Sequence, residues 1–452
     1  MRMRNPKLLR LVAGSEQSRH TTQCATSAHL KILAPGRARI AILLVLLLLA
    51  IFVPLLPAAA AEGDIVVTTN TYRDDYPNQI RFSLGASSGS EIKRVLFYYK
   101  IEPSPVLTYA FPPITPGNTV TAEYVWNIQR RYIPPGVTMQ YYWVIENAAG
   151  SKIKTDPKTF VVEDTRFHWQ RLSQANVNLY WYQGDRNFAD TLMSFTQDAL
   201  SRLAQEVGVQ ISGPISIYIY ASKDDLLGAL EPKAQEWTGG RALSEQGLIV
   251  LQVEPTRSGL TWAEGALPHE LSHLVIGQVT ENPYGDIPHW LDEGLAMRAE
   301  GELSAEFRRS LDAAVRENQL ISIRSLASNF PTDANRAVLS YAESYSIVSF
   351  ILKQYGREKM AQLLETFREG TTYDDALKRA LGVDLDGLEE QWRASLGLPP
   401  LDEASVPTPT AGVAAGNQAQ PEHSDGFCFG IGPAIALGVL SLLASAKFIH
   451  LR

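Results

Sequence analysis

Residues 269 to 273 read His-Glu-Leu-Ser-His, inside the run GALPHELSHLVIG. On a helix, positions four apart share a face about one turn apart, so the His269 and His273 imidazoles project together. Apolar Leu267, Leu271, Leu274 and Val275 recur at helical spacing around them, with Gly277 as a stop signal. Two imidazoles on one helical face suit zinc, and Glu270, one position round the turn, falls beside the open coordination position. Glu293, in HWLDEGLAMRAE, supplies the natural third ligand. Three protein ligands and one open position describe a catalytic rather than a structural site.

The same residues carry a family resemblance. HExxH followed by a glutamate in a W-x-x-E-G-x-A context, here Trp290, Glu293, Gly294 and Ala296, resembles the gluzincin metallopeptidases, most closely the compact peptidase MA-like domains of bacterial surface proteins. The resemblance covers about Phe167 to Leu396. It implies that His269, His273 and Glu293 bind Zn2+ and that Glu270 is the general base in hydrolysis of a peptide bond. One departure stands out: where the thermolysin-like branch has an aspartate supporting the first histidine, this chain has Met297. Asp292, Glu300 or a backbone carbonyl must take over that support. The run YAESYSIVSFILKQYG offers Tyr341 and Tyr345, four apart, as donors to the charge that develops on the attacked carbonyl, and the resemblance favours Tyr345. His289, a turn before Glu293, is a further candidate contact to substrate.

An extended peptide binds beside such a helix by adding to a sheet edge. The strand-like GLIVLQVE, Gly247 to Glu254, is placed for that role. No obvious acidic cluster awaits a free amino terminus, although Glu245 and Glu264 are available, so an endopeptidase is favoured. A zinc amidase acting on cell-wall or small amide substrates and a non-catalytic surface module that keeps the fold are the alternatives; intact Glu270 argues against the second.

The rest of the chain sorts by composition. Residues 1–39 hold eight Lys or Arg against the single acid Glu16, and lead into the apolar run Ile40 to Leu56 and then PAAAAEG. This is the pattern of a secretory signal, expected over 1–61 with cleavage after Ala61. From Asp64 to Glu163 alternating aromatic and branched residues predict about seven short strands, a β-sandwich of immunoglobulin or fibronectin type over 62–163 that spaces or orients the catalytic domain. Residues 164–398 are expected to form the zinc domain, an α+β zincin-like fold of two lobes with the ligands at their junction. Residues 399–428, rich in Pro, Thr, Ala and Gly, read as a disordered linker. The uncharged run Phe429 to Ala446 reads as a membrane helix, with 447–452 as a cytoplasmic tail. Together the ends predict an exported protein of the bacterial cell surface, anchored in the membrane by its C-terminal helix with the catalytic domain outside. The two cysteines, Cys24 and Cys428, leave no disulfide for the region between. With a net charge of −7, no basic stripe and no glycine-rich phosphate loop, the chain offers nothing to nucleic acid or nucleotide. The partner that remains is a peptide or protein substrate.

Overall fold

The computed structural model describes residues 65–208, 213–230 and 239–400. Its N-terminal region is all β: β1 (Ile65–Asp75), β2 (Gln79–Ile101), β3 (Thr108–Ala110), β4 (Gly117–Asn127), β5 (Thr138–Asn147), β6 (Lys152–Lys154) and β7 (Lys158–Val161). The 23-residue β2 organises them, pairing antiparallel with β1, β3, β4 and β5 along different stretches. Alternation sets its two faces: Phe82, Leu84, Val95, Phe97 and Tyr99 point into the core.

The following region begins with β8 (Gln170–Gln174) and β9 (Val177–Trp181), then α1 (Arg186–Val207), β10 (Ile215–Tyr220) and α2 (Lys223–Leu227). Next come β11 (Gly240–Leu243), β12 (Leu248–Gln252), α3 (Arg257–Thr280) and α4 (His289–Glu300). The chain continues in helices: α5 (Ala305–Glu317), α6 (Ile323–Leu326), α7 (Ala334–Tyr355), α8 (Arg357–Arg368), α9 (Tyr373–Leu381) and α10 (Leu385–Ser395). Five strands form a sheet in the order β11-β12-β10-β9-β8, with β9, β10 and β12 parallel and the two outer strands antiparallel to their neighbours. An α+β domain with a zincin-like helical region is thus in place.

Both faces of this sheet are covered. Ile217, Ile219, Ile249 and Leu251 join α1, α3 and the later helices in one core. Tyr218, Tyr220, Leu248 and Val250, which alternate with them, join Phe82, Phe97, Trp126 and Trp143 of the N-terminal β region in another. This explains why β10 and β12 read as near-continuous apolar runs. The β region therefore does more than space the catalytic domain, because it supplies half of the packing around its sheet. Asp164, fully buried, ties the seam: it accepts from Arg166 at 2.8 and 2.6 Å and from the Tyr220 hydroxyl at 3.0 Å.

Two expectations are corrected. The strand from Gly247 to Glu254 is not an edge; β12 lies between β10 and β11, and the four-residue β11 takes the end of the sheet. Anchorage by a C-terminal membrane helix, with the signal segment and the bacterial cell-surface location, is not upheld. The runs that carried those expectations lie outside the described residues, and among the described residues no helix is long and apolar enough to cross a membrane. The long helices α1, α3 and α7 all carry ionisable side chains and are packed into the protein core.

The helices beyond the sheet bury a pair of acids without a full complement of charge. Glu343 of α7 accepts from the Ile321 backbone N–H with both oxygens at 3.1 Å, and Glu389 of α10 accepts from the Ile323 N–H at 3.1 Å. Burial raises the Glu343 carboxyl well above its usual range, with the Ile321 N–H pulling the other way and Glu389 adding to the rise. A carboxyl raised on folding binds more protons in the native state than in the unfolded one. Stability therefore falls as pH climbs from the ordinary glutamate range through the native pKa. Thermal melts across pH 5 to 8 are expected to show this decline in the parent chain and a flatter profile in Glu343→Gln, which keeps an acceptor and has no charge to desolvate.

Candidate metal centre

From Leu267 to Ile276 helix α3 is buried all round, with the sheet on one flank and α1, α4 and α8 on the other, while its first turns are partly exposed. Thr256 caps its start, the hydroxyl accepting from the Gly259 N–H at 3.1 Å. His269, Glu270 and His273 are all buried in its middle. Helix α4 lies against it and brings Glu293 to the same point. That approach depends on Gly294: a Cβ there would stand 2.5 Å from the Ser344 carbonyl oxygen and from Val348, so α7 presses on α4 directly behind the ligand.

His269 Nε2 and His273 Nε2 lie 3.1 Å apart, and Glu293 Oε2 is 3.5 Å from the first and 3.7 Å from the second. The point equidistant from these three atoms is about 2 Å from each, the length of zinc–imidazole and zinc–carboxylate bonds. Among the described residues this is the group of histidine, cysteine and acid side chains able to hold a metal ion. The outer nitrogens are also occupied. His269 Nδ1 meets Glu300 Oε1 at 2.6 Å, and His273 Nδ1 meets Asp292 Oδ2 at 2.9 Å. Each imidazole is thus oriented by a carboxylate, so its Nε2 faces the shared point as the electron-pair donor. Glu300 fills the support role left open by Met297.

Charge balance agrees with this arrangement. Burial works against a charged His269, yet Glu293 and Glu300 raise its pKa well above the normal imidazole value. Burial likewise opposes the charged form of His273, and Asp292 and Glu293 outweigh it. Burial alone would raise Glu293; the facing histidines hold it down to about 2. Carboxylates surround the point strongly enough to favour a cation there. Donor set, spacing and charge all fit Zn2+.

A family model described as the Peptidase MA superfamily matches residues 195–397, from within α1 to just past α10. The chain carries a peptidase MA-like zinc-metallopeptidase domain. No curated protein matches the chain. Among solved structures, an M1 zinc metallopeptidase from Deinococcus radiodurans is 15% identical, with 75% of this chain and 96% of that one covered and a TM-score of 0.32. An aminopeptidase A from Legionella pneumophila, in complex with aspartic acid, is 12% identical over 75% of this chain and 50% of its own, with a TM-score of 0.33. OgpA from Akkermansia muciniphila is 12% identical over 22% and 28%, with a TM-score of 0.18. Scores this low support no inference about activity.

Around the metal centre of the peptidase MA-like domain the remaining candidates separate. His289 Nε2 is 3.7 Å from Glu293 Oε1, and its ring packs on Phe330 at 4.4 Å between centroids. Phe330 in turn meets the buried Tyr341 edge-on at 5.0 Å. Tyr345 lies a turn further along α7, where the Arg298 guanidinium stands 5.7 Å from its ring centre, and it lines a cavity of about 340 Å³ with Arg202 and Glu206. Gly240 of β11 was not legible as a site residue. A Cβ on it would lie 2.9 Å from Glu270 Oε1, so the carboxylate rests against the end strand of the sheet. A Gly-Gly pair at the start of a four-residue strand gives no periodic signal and reads as a turn.

Glu300→Ala and Asp292→Ala each leave one imidazole without its orienting carboxylate. Each is expected to weaken zinc binding about 10- to 100-fold, read by competition with a chromogenic chelator, while far-ultraviolet circular dichroism stays unchanged.

Proposed function

We propose that this domain hydrolyses peptide bonds within extended peptides or protein segments. The observation that carries the reading is the contact between Glu270 and β11. β11 ends the described sheet, and a peptide laid along it would pass the Glu270 carboxylate, pairing through backbone groups that all sequences share.

Zinc held by His269, His273 and Glu293 supplies Lewis acidity and lowers the pKa of water. Glu270, buried in the wall of the site, accepts the proton released by the attacking water and returns it to the leaving nitrogen. The bond that forms is carbon–oxygen and the one that breaks is carbon–nitrogen, so one water is consumed per cut. The Tyr341 hydroxyl, on the face of α7 that packs against Met297 of α4, is our choice as donor to the carbonyl oxygen as its charge grows. Tyr345 is the comparison residue. Residues 164–398 form the working domain in this reading, and 62–163 an immunoglobulin- or fibronectin-like β-sandwich packed on its sheet.

The test incubates the zinc-loaded protein with a diverse peptide library and reads products by mass spectrometry. Internal cuts are expected, absent after chelation and restored by zinc. Glu270→Gln should bind zinc normally and lose about 10²- to 10⁴-fold in turnover; undiminished cutting by that variant would overturn the role of the base. Tyr341→Phe should lower kcat more than Tyr345→Phe, with KM little changed in both. Trimming from one end only would make the enzyme an exopeptidase.

A further inference from the structure

A row of aromatic rings crosses the outer face of the β region, away from the metal centre and unused by the chemistry above. Tyr98 of β2 sits opposite Tyr109 of β3 on one side and Tyr142 of β5 on the other. Tyr98 and Tyr142 stack at 4.9 Å with 8° between their planes, Tyr98 and Tyr109 lie 5.7 Å apart, and Phe111 meets Tyr109 at 5.5 Å and 89°. The Lys154 ammonium caps the far end, 4.0 Å from the Tyr142 ring centre. Tyr109 and Phe111 are 57% and 62% exposed, so their perpendicular rings form an open corner at one end of the ridge. The hydroxyls of Tyr98, Tyr109 and Tyr142 make no hydrogen bond to the described residues.

The geometry points to a carbohydrate-binding platform whose ligand is a segment of polysaccharide. A pyranose ring has an apolar face and a rim of hydroxyls. The Tyr109–Phe111 corner offers flat apolar walls, and the ridge behind it offers three phenol hydroxyls and an ammonium as hydrogen-bonding groups. Other occupants fit less well. The backbone of β2 at Tyr98 is already paired on both sides, so a peptide cannot add there as a strand. The exposed apolar side chains here are Tyr109 and Phe111 with Val106 and Leu107 near them in the chain, four residues where a stable protein interface takes about 20 to 30 a side. Rings locked by cross-strand stacking lose little freedom on binding, which suits a weakly held repeating ligand.

The full chain is run in native gels containing a β-glucan, an α-glucan, a xylan or a mannan, and affinity for the retarding polymer is then measured by titration with its oligosaccharide. Retardation by at least one polymer is expected. Tyr109→Ala with Phe111→Ala, both at exposed positions, should lower affinity about tenfold or more, as truncation of a central contact does. Tyr98→Ala with Tyr142→Ala should do the same, and cutting of a short peptide should be unchanged in both. The proposal fails if no polymer retards the parent chain or if retardation survives both pairs of substitutions. It also fails if sedimentation shows a dimer that the substitutions dissolve, since the face would then be an interface between copies.

Discussion

Two imidazoles and a carboxylate buried together in an apolar core would be costly unless something held their charges, and the structure is arranged around that requirement. Each imidazole is bracketed between Glu293 and a second acid, Glu300 for His269 and Asp292 for His273. The acids fix the ring orientation and keep electron density on the nitrogen that faces the metal position. Removing any one of them exposes the others to the full cost of desolvation.

Helix α4 bears most of this load. Within twelve residues it supplies the ligand Glu293 and both supporting acids, with His289 at its start. Positions 289, 292, 293 and 300 fall on one face of a regular helix, so all four side chains are presented to the same side. Asp292 and Glu300 meet the outer nitrogens of the two rings, Nδ1 of His273 and of His269, while Glu293 meets both Nε2 atoms. The close crossing of α7 at Gly294 holds the helix in this position, since any side chain there would push the ligand off its point. Support for the histidines thus comes from the helix that supplies the third ligand.

The sheet plays a matching role. One face receives α3, and with it Glu270 against β11; the other is sealed by the aromatic core of the β region. Sealing both faces leaves the end strand and the helix junction as the places where a substrate chain can approach. The β region also keeps an outer face of its own, and its ridge of tyrosines lies on the side turned away from that shared core. Catalysis and the proposed carbohydrate contact therefore rest on different sheets, the first on β11 of the five-stranded sheet and the second on β2, β3 and β5.

Much of the site was legible in the sequence because its logic is local. The four-residue spacing of His269 and His273 makes them neighbours on any helix, and a glutamate in the Trp290–Ala296 pattern names its partner. The alternation in β2 and β5 likewise marked strands before any pairing was known. What stayed hidden depends on contacts between distant segments. Glu300 and Asp292 were both open as supports for His269; only the packing of α3 against α4 gives each its own histidine. The order of the sheet is decided by pairing, which placed β12 inside and β11 at the end, and no periodicity in four residues could show that. The apolar ends suggested membrane attachment from composition alone, and the described helices give it no support. The sequence by itself determined which atoms can bind the metal, because covalent spacing does so. The tertiary structure decided which carboxylates orient them and which strand the base rests against, because those depend on how buried surfaces meet.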